Sequence, residues 1–172
     1  MYDNQQIFPV KLIVKQLEES LFKKQQALVE NVCSIKPKLT FITFKDFKSI
    51  SPHVYKPLSF LERKTISKAR LGILPIRIET ARYLRPVVPE EQRLCYCNNG
   101  EPESEFHVLF ICDKYSNLRQ LWLNKLTKPD DFDTMSKPDK FKIVLNEPRN
   151  VKFTAQFLID MLDLRSLLNN LY

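Results

Sequence analysis

The amino-acid sequence predicts a mainly α-helical fold: a helical, bundle-like linker carrying one small, loop-rich, zinc-knuckle-like insert. Three observations predict it. Only two glycines, Gly72 and Gly100, occur in 172 residues, which leaves little from which to build tight hairpins. Eleven prolines punctuate the chain instead, between stretches whose apolar residues recur at helical spacing. Residues 93–115, RLCYCNNGEPESEFHVLFICDKY, break that periodicity and hold three of the four cysteines and one of the two histidines.

The elements follow in order. Residues 10–32 carry Val10, Ile13, Val14, Leu17, Leu21, Leu28 and Val32 on a helical stripe, with Lys, Glu and Gln opposite, and Pro9 suits a first turn. Residues 38–50 are ambiguous; Phe41, Phe44 and Phe47 recur every third position, and core packing is favoured over base stacking for them. Ser59 and Glu62 form an S-x-x-E capping box, and Gly72 followed by Pro75 marks a stop. The helix between them has Leu61, Thr65, Ile66, Ala69 and Ile73 as its expected apolar face. A second short segment runs from Pro75 to Pro86.

Beyond the insert, Asp113 is placed to cap a helix with Tyr115, Leu118, Leu121, Trp122 and Leu126. Residues 128–137 form a polar loop, the stretch expected to be most flexible. A short helix with Phe141, Val144 and Leu145 follows Pro138 and closes at Pro148; a last one, 151–171, carries Phe157, Leu158, Met161, Leu162 and Leu168. Three regions result: a basic helical linker at 1–90, the insert at 91–116, and a C-terminal helical region at 117–172 that packs on the first.

Within the insert, Cys95, Cys97, His107 and Cys112 have the spacing C-x-C-x9-H-x4-C. Three thiolates and an imidazole make a complete tetrahedral set for zinc. Asn98-Asn99-Gly100 supplies turn chemistry that folds one pair toward the other, and a helical turn ending near Cys112 would bring it beside His107. The alternative is a set of packed core thiols with a packed histidine.

Charge is unevenly divided. Residues 1–90 hold 16 Lys+Arg against 8 Asp+Glu, whereas 91–172 hold 11 against 12. Arg63, Lys64, Lys68, Arg70, Arg77, Arg82 and Arg85 concentrate in one run, and Arg93 adjoins the cysteines. Such a run can track a phosphate backbone, so RNA or DNA is the expected partner. The alternative is that several of these cations pair with Glu62, Glu79 and the acids at 101–105. No apolar run reaches the roughly 18 residues of a membrane span and no leader pattern is seen, so a soluble, intracellular protein, nuclear or cytoplasmic, with reduced thiols is expected.

From Ser67 the chain resembles the region after the thumb in reverse transcriptases of non-LTR (LINE-type) retrotransposons. The matching residues are Arg70, Gly72, Leu74, Pro75, Arg77, Glu79, Arg82 and Tyr83, then Arg93, Cys95, Cys97, Glu105, His107 and Cys112, then Tyr115 and Arg119. Weaker likeness extends to TFKDF at 43–47 and DKFKIVLNEP at 139–148. The resemblance implies a helical linker and zinc-knuckle-like module C-terminal to a polymerase core, helping to hold template RNA or target DNA. The one departure is Cys95-Tyr96-Cys97, a residue shorter than the commoner pair; either the turn tightens to keep both ligands or one cysteine leaves the site.

Paired catalytic aspartates after an aromatic residue, which such polymerases use to hold two magnesium ions, have no counterpart. Asp130-Asp131 lies in a polar loop, so the expectation is a non-catalytic fragment of such an element. Two other readings stay open. Some relatives place an endonuclease after the knuckle, with a Lys-Pro-Asp motif that occurs here at 128–130 and 137–139. A metal-free helical domain whose partner is a protein, such as the polymerase core itself, is the third.

Overall fold

The computed structural model describes residues 10–35, 51–97 and 99–169. Phe41, Phe44, Phe47, Pro9 and Asn98 lie outside them, as do the side chains of Val10, Val32, Cys33 and Leu168. The fold is mainly helical, and among the described residues no β-strand occurs, only one isolated antiparallel bridge between Leu94 and Pro102. No described helix is long and apolar enough to cross a membrane.

Two compact units divide the chain, at 1–49 and 50–172. In the first, α1 (Val10–Ile35) is the expected long helix, and its stripe of Ile13, Val14, Leu17, Leu21 and Leu28 is exposed.

The second unit is built on its last helix. Its α-helices are α2 (Pro52–Tyr55), α3 (Phe60–Arg70), α4 (Arg77–Thr80), α5 (Ser116–Leu123), α6 (Lys137–Asn146) and α7 (Val151–Asn169). α3, α5 and α6 all pack on α7, which buries Val151, Ala155, Phe157, Leu158 and Met161. Trp122 of α5 stacks on Phe157 at 4.5 Å between ring centroids, and its Nε1 donates to Thr154 Oγ1, which donates in turn to the Val144 carbonyl of α6. Each of these large side chains, fully buried, contributes on the order of 1.5–3 kcal/mol. Asn150, fully buried, exchanges two hydrogen bonds with the Thr127 backbone and donates to the Ile143 carbonyl, so its own amide is paired and ties the segment after α5 to α6.

The ends of α3 are the ends the sequence predicts. Ser59 Oγ accepts from Glu62 N and Glu62 Oε2 accepts from Ser59 N, a reciprocal capping box. At the other end Gly72, at φ 64°, lets its own N–H reach the Ala69 carbonyl and Ile73 N–H reach that of Lys68, the paired bonds of a Schellman stop. The apolar face is rotated from expectation. Thr65, Ile66 and Ala69 are buried as expected, but Leu61 and Ile73 face solvent and Glu62 takes the inward place, because its carboxylate is held in the cap.

A further expectation needs correction. Asp113 gives no side-chain cap; residues Asp113–Tyr115 form a 3-10 turn that leads into α5, and Leu121 is exposed. Within the polar loop at 128–137, Phe132 is buried, 6.2 Å from Phe110 with Lys128 and Lys140 over its ring. The short helix after it keeps its expected core of Phe141, Val144 and Leu145, and Asp139 sits in its first turn.

Candidate metal centre

Two local devices bring the cysteines and histidine together. The first is a loop closed by the Leu94–Pro102 bridge, in which Cys95 N donates to the Glu101 carbonyl at 2.8 Å and Glu103 N to that of Arg93 at 2.9 Å. Gly100 turns this loop at φ 76°, and a Cβ there would meet nothing within 4 Å, so glycine is required by the backbone angle and not by space. The second device is a π-helical turn, His107–Ile111, closed by Cys112 N donating to the His107 carbonyl at 2.8 Å. In an α-helix, residues five apart point about 140° away from one another. Widening the turn puts His107 and Cys112 on the same side, and π-turns of this kind recur at functional sites.

The ligand atoms of Cys95, Cys97, His107 and Cys112 all lie within 4.8 Å of one another. Cys95 Sγ is 3.6 Å from Cys112 Sγ, and Cys97 Sγ is 3.3 Å from His107 Nε2. Edges of a tetrahedron with zinc–sulfur bonds of ~2.3 Å are about 3.8 Å long, so the donors fit zinc. The three cysteines are free thiols, and the sulfur separation is far longer than a disulfide. Both members of the shortened C-x-C pair are in the cluster, the turn having tightened to keep them.

The surroundings suit a metal ligand set. Cys95, His107 and Cys112 are buried and Cys97 is half-buried. The hydrogen bond between the Cys95 and Cys112 thiols, with burial, pushes Cys95 up, and the same bond draws Cys112 down; burial pushes Cys97 up. A divalent cation at the centre would take all three as thiolates, with proton release. His107 Nδ1, the nitrogen facing away from the sulfurs, is 3.0 Å from Glu101 Oε2. That is the carboxylate–imidazole contact which orients metal-bound histidines. Arg119 donates through Nε to the Leu109 carbonyl at 2.9 Å and through Nη2 to that of Cys112, tying the π-turn to α5.

The cationic residues named from sequence differ in their partners. Arg63 donates to the carbonyls of His53, Val54, Lys56 and Leu58. Arg70 donates to the Leu145 carbonyl, Asn146 Oδ1 and Ser51 Oγ, and burial lowers its pKa. Arg93 donates to the carbonyls of Val88 and Ile78. These three guanidiniums hold loops and helix ends together. Arg82 pairs with Glu79 at 3.2 Å, while Lys64 and Arg85 are exposed and Lys68 is half-buried. Arg77 faces the cluster: its Nη1 donates to Tyr96 Oη at 2.7 Å and its guanidinium lies 5.0 Å from the Tyr96 ring centroid.

Sequence reasoning missed Glu101, Glu103 and Arg165. Glu103, 1 % exposed, accepts both bonds of a fork from Arg165 of α7 at 2.8 Å each, and also accepts from Arg77 N. The only signal for the acids was their density at 101–105 beside a histidine. Of the acids weighed for polymerase or nuclease chemistry, Asp130 and Asp131 are exposed, and Asp139 accepts from Ser136 at the start of α6. No protein-family model, curated protein or solved structure matches this chain.

Proposed function

We propose that this chain is a non-catalytic, zinc-stabilised nucleic-acid-binding module, of the kind that follows the polymerase core in LINE-type reverse transcriptases. The observation that carries it is the contact between Arg77 and Tyr96. It joins the Cys/His loop to the basic segment, so that metal ligation and cationic surface belong to one piece of structure. With Arg63, Arg70 and Arg93 engaged on carbonyls, the reading rests on Lys64, Lys68, Arg77, Arg82 and Arg85, of which Arg77 also meets Tyr96 and Arg82 would exchange Glu79 for phosphate. Their positive charge answers the imbalance of residues 1–90. The zinc supplies fold rigidity, since its binding free energy is folding free energy in so short a loop.

Salt-dependent binding of a labelled RNA or DNA strand tests the reading. If about five cations neutralise phosphates, affinity falls roughly 10²- to 10³-fold from 50 to 200 mM salt. Binding that ignores salt, or that survives Lys64, Lys68 and Arg85 all changed to Glu, removes it. A second reading, a helical protein-interaction domain, is favoured by the exposed stripe of Leu17, Leu21 and Leu28 on α1. Self-association of the purified chain that is lost on Leu21→Glu would support it. The third reading, an endonuclease remnant, predicts magnesium-dependent nicking abolished by Asp139→Ala.

A further inference from the structure

The corner between α2 and α3 presents exposed side chains that the metal cluster does not use. Phe60, the first residue of α3, is 82 % exposed, and Tyr55, the last of α2, is 55 % exposed. Each ring carries a lysine: Lys64 Nζ stands 6.0 Å from the Phe60 centroid and Lys56 Nζ 6.0 Å from that of Tyr55.

The corner is also held in shape. Arg63 binds the carbonyls on both sides of Tyr55, at Val54 and Lys56, and the Ser59–Glu62 capping box fixes the backbone that bears Phe60. Glu62 is the only acid in residues 51–64, and it is buried in that cap. Rings facing water, each topped by an ammonium group, in a segment whose single acid is buried, match a chain of bases and phosphates: bases stack on any π-face, and cations follow the backbone. Exposed Val54 and Leu61 nearby would also suit an apolar protein surface. The pair of lysines, with no exposed acid in residues 51–64, favours a polyanion.

We infer that Tyr55 and Phe60, with Lys56 and Lys64, form a stacking site for single-stranded nucleic acid. This rests on the nucleic-acid reading above, narrows it to single strands, and places base contacts on residues outside the arginine contacts.

Fluorescence anisotropy on the full chain tests it, with labelled 20-mers of oligo-dT and oligo-U and a 20-base-pair duplex as probes, between 50 and 200 mM salt. Phe60→Ala and Tyr55→Ala should each weaken single-strand binding on the order of 5- to 100-fold, with the salt slope unchanged. Phe60→Trp should restore it, and Lys64→Ala should lower the slope by roughly 0.7. Duplex binding should not respond to Phe60→Ala. Zinc content and helical circular dichroism serve as folding controls. Single-strand affinity within twofold of wild type for both alanine variants, or an equal loss on duplex, overturns the stacking site and leaves the module's nucleic-acid reading standing. A wild-type chain that binds none of the three probes overturns both.

Discussion

Arg165 and Glu103, 62 positions apart in the chain, meet through a two-pronged hydrogen-bonded ion pair with both bonds at 2.8 Å. Burial lowers the Arg165 pKa, and the Glu103 carboxylate more than reverses that, leaving it above its ordinary value. The same carboxylate accepts from Arg77 N, and its backbone joins the loop of the Cys/His cluster. One side chain thus fastens the cluster to the central helix.

Removing either partner leaves a buried, uncompensated charge. Arg165→Ala should destabilise the second unit by roughly 3–5 kcal/mol, read as a lower urea midpoint at unchanged slope. The double variant Arg165→Met with Glu103→Leu should recover a large part of that loss, because no charge is then stranded.

Metal content should be one zinc per chain, lost in His107→Ala and in Cys112→Ser. Glu101→Gln should keep the stoichiometry and weaken affinity about 10- to 100-fold, because the imidazole loses its orienting carboxylate. Competition with a chromophoric chelator reads both effects.

Gly100→Ala should cost on the order of 1–2 kcal/mol in the metal-bound chain, from its left-handed backbone angle alone. Gly100→Asn, a residue that tolerates this conformation, should cost less. Thermal unfolding with zinc present distinguishes the two.

Asp139 provides a pH test. Its hydrogen bond from Ser136 Oγ, with Lys142 close by, holds its carboxyl below the ordinary value of 3.8. A depressed folded-state pKa contributes stability above 3.8 that disappears as pH falls through the lower native value. Asp139→Asn should therefore lower the melting temperature at pH 7 and differ little from wild type once both carboxyl states are protonated.

Local signals were legible where one short stretch contains the whole device. Ser59, Glu62 and Gly72 announce α3, and Phe141, Val144 and Leu145 announce the buried face of α6, because caps and periodicity act within a few residues. The ligand set was legible because few residue types bind zinc and their number was complete. The carbonyl contacts of Arg63, Arg70 and Arg93 were not legible, since a guanidinium that caps distant carbonyls and one that meets phosphate look alike in one dimension. The Glu103–Arg165 pair was hidden for the same reason: charged letters read as surface until the fold brings them inside.

The π-turn at His107–Ile111 has a consequence for tolerance to change. Swapping Phe110 or Ile111 for another residue alters contacts by degrees. Inserting or deleting a single codon between His107 and Cys112 alters the azimuth of a sulfur, and no side-chain adjustment brings it back. Across this stretch the chain can vary its spelling but not its count.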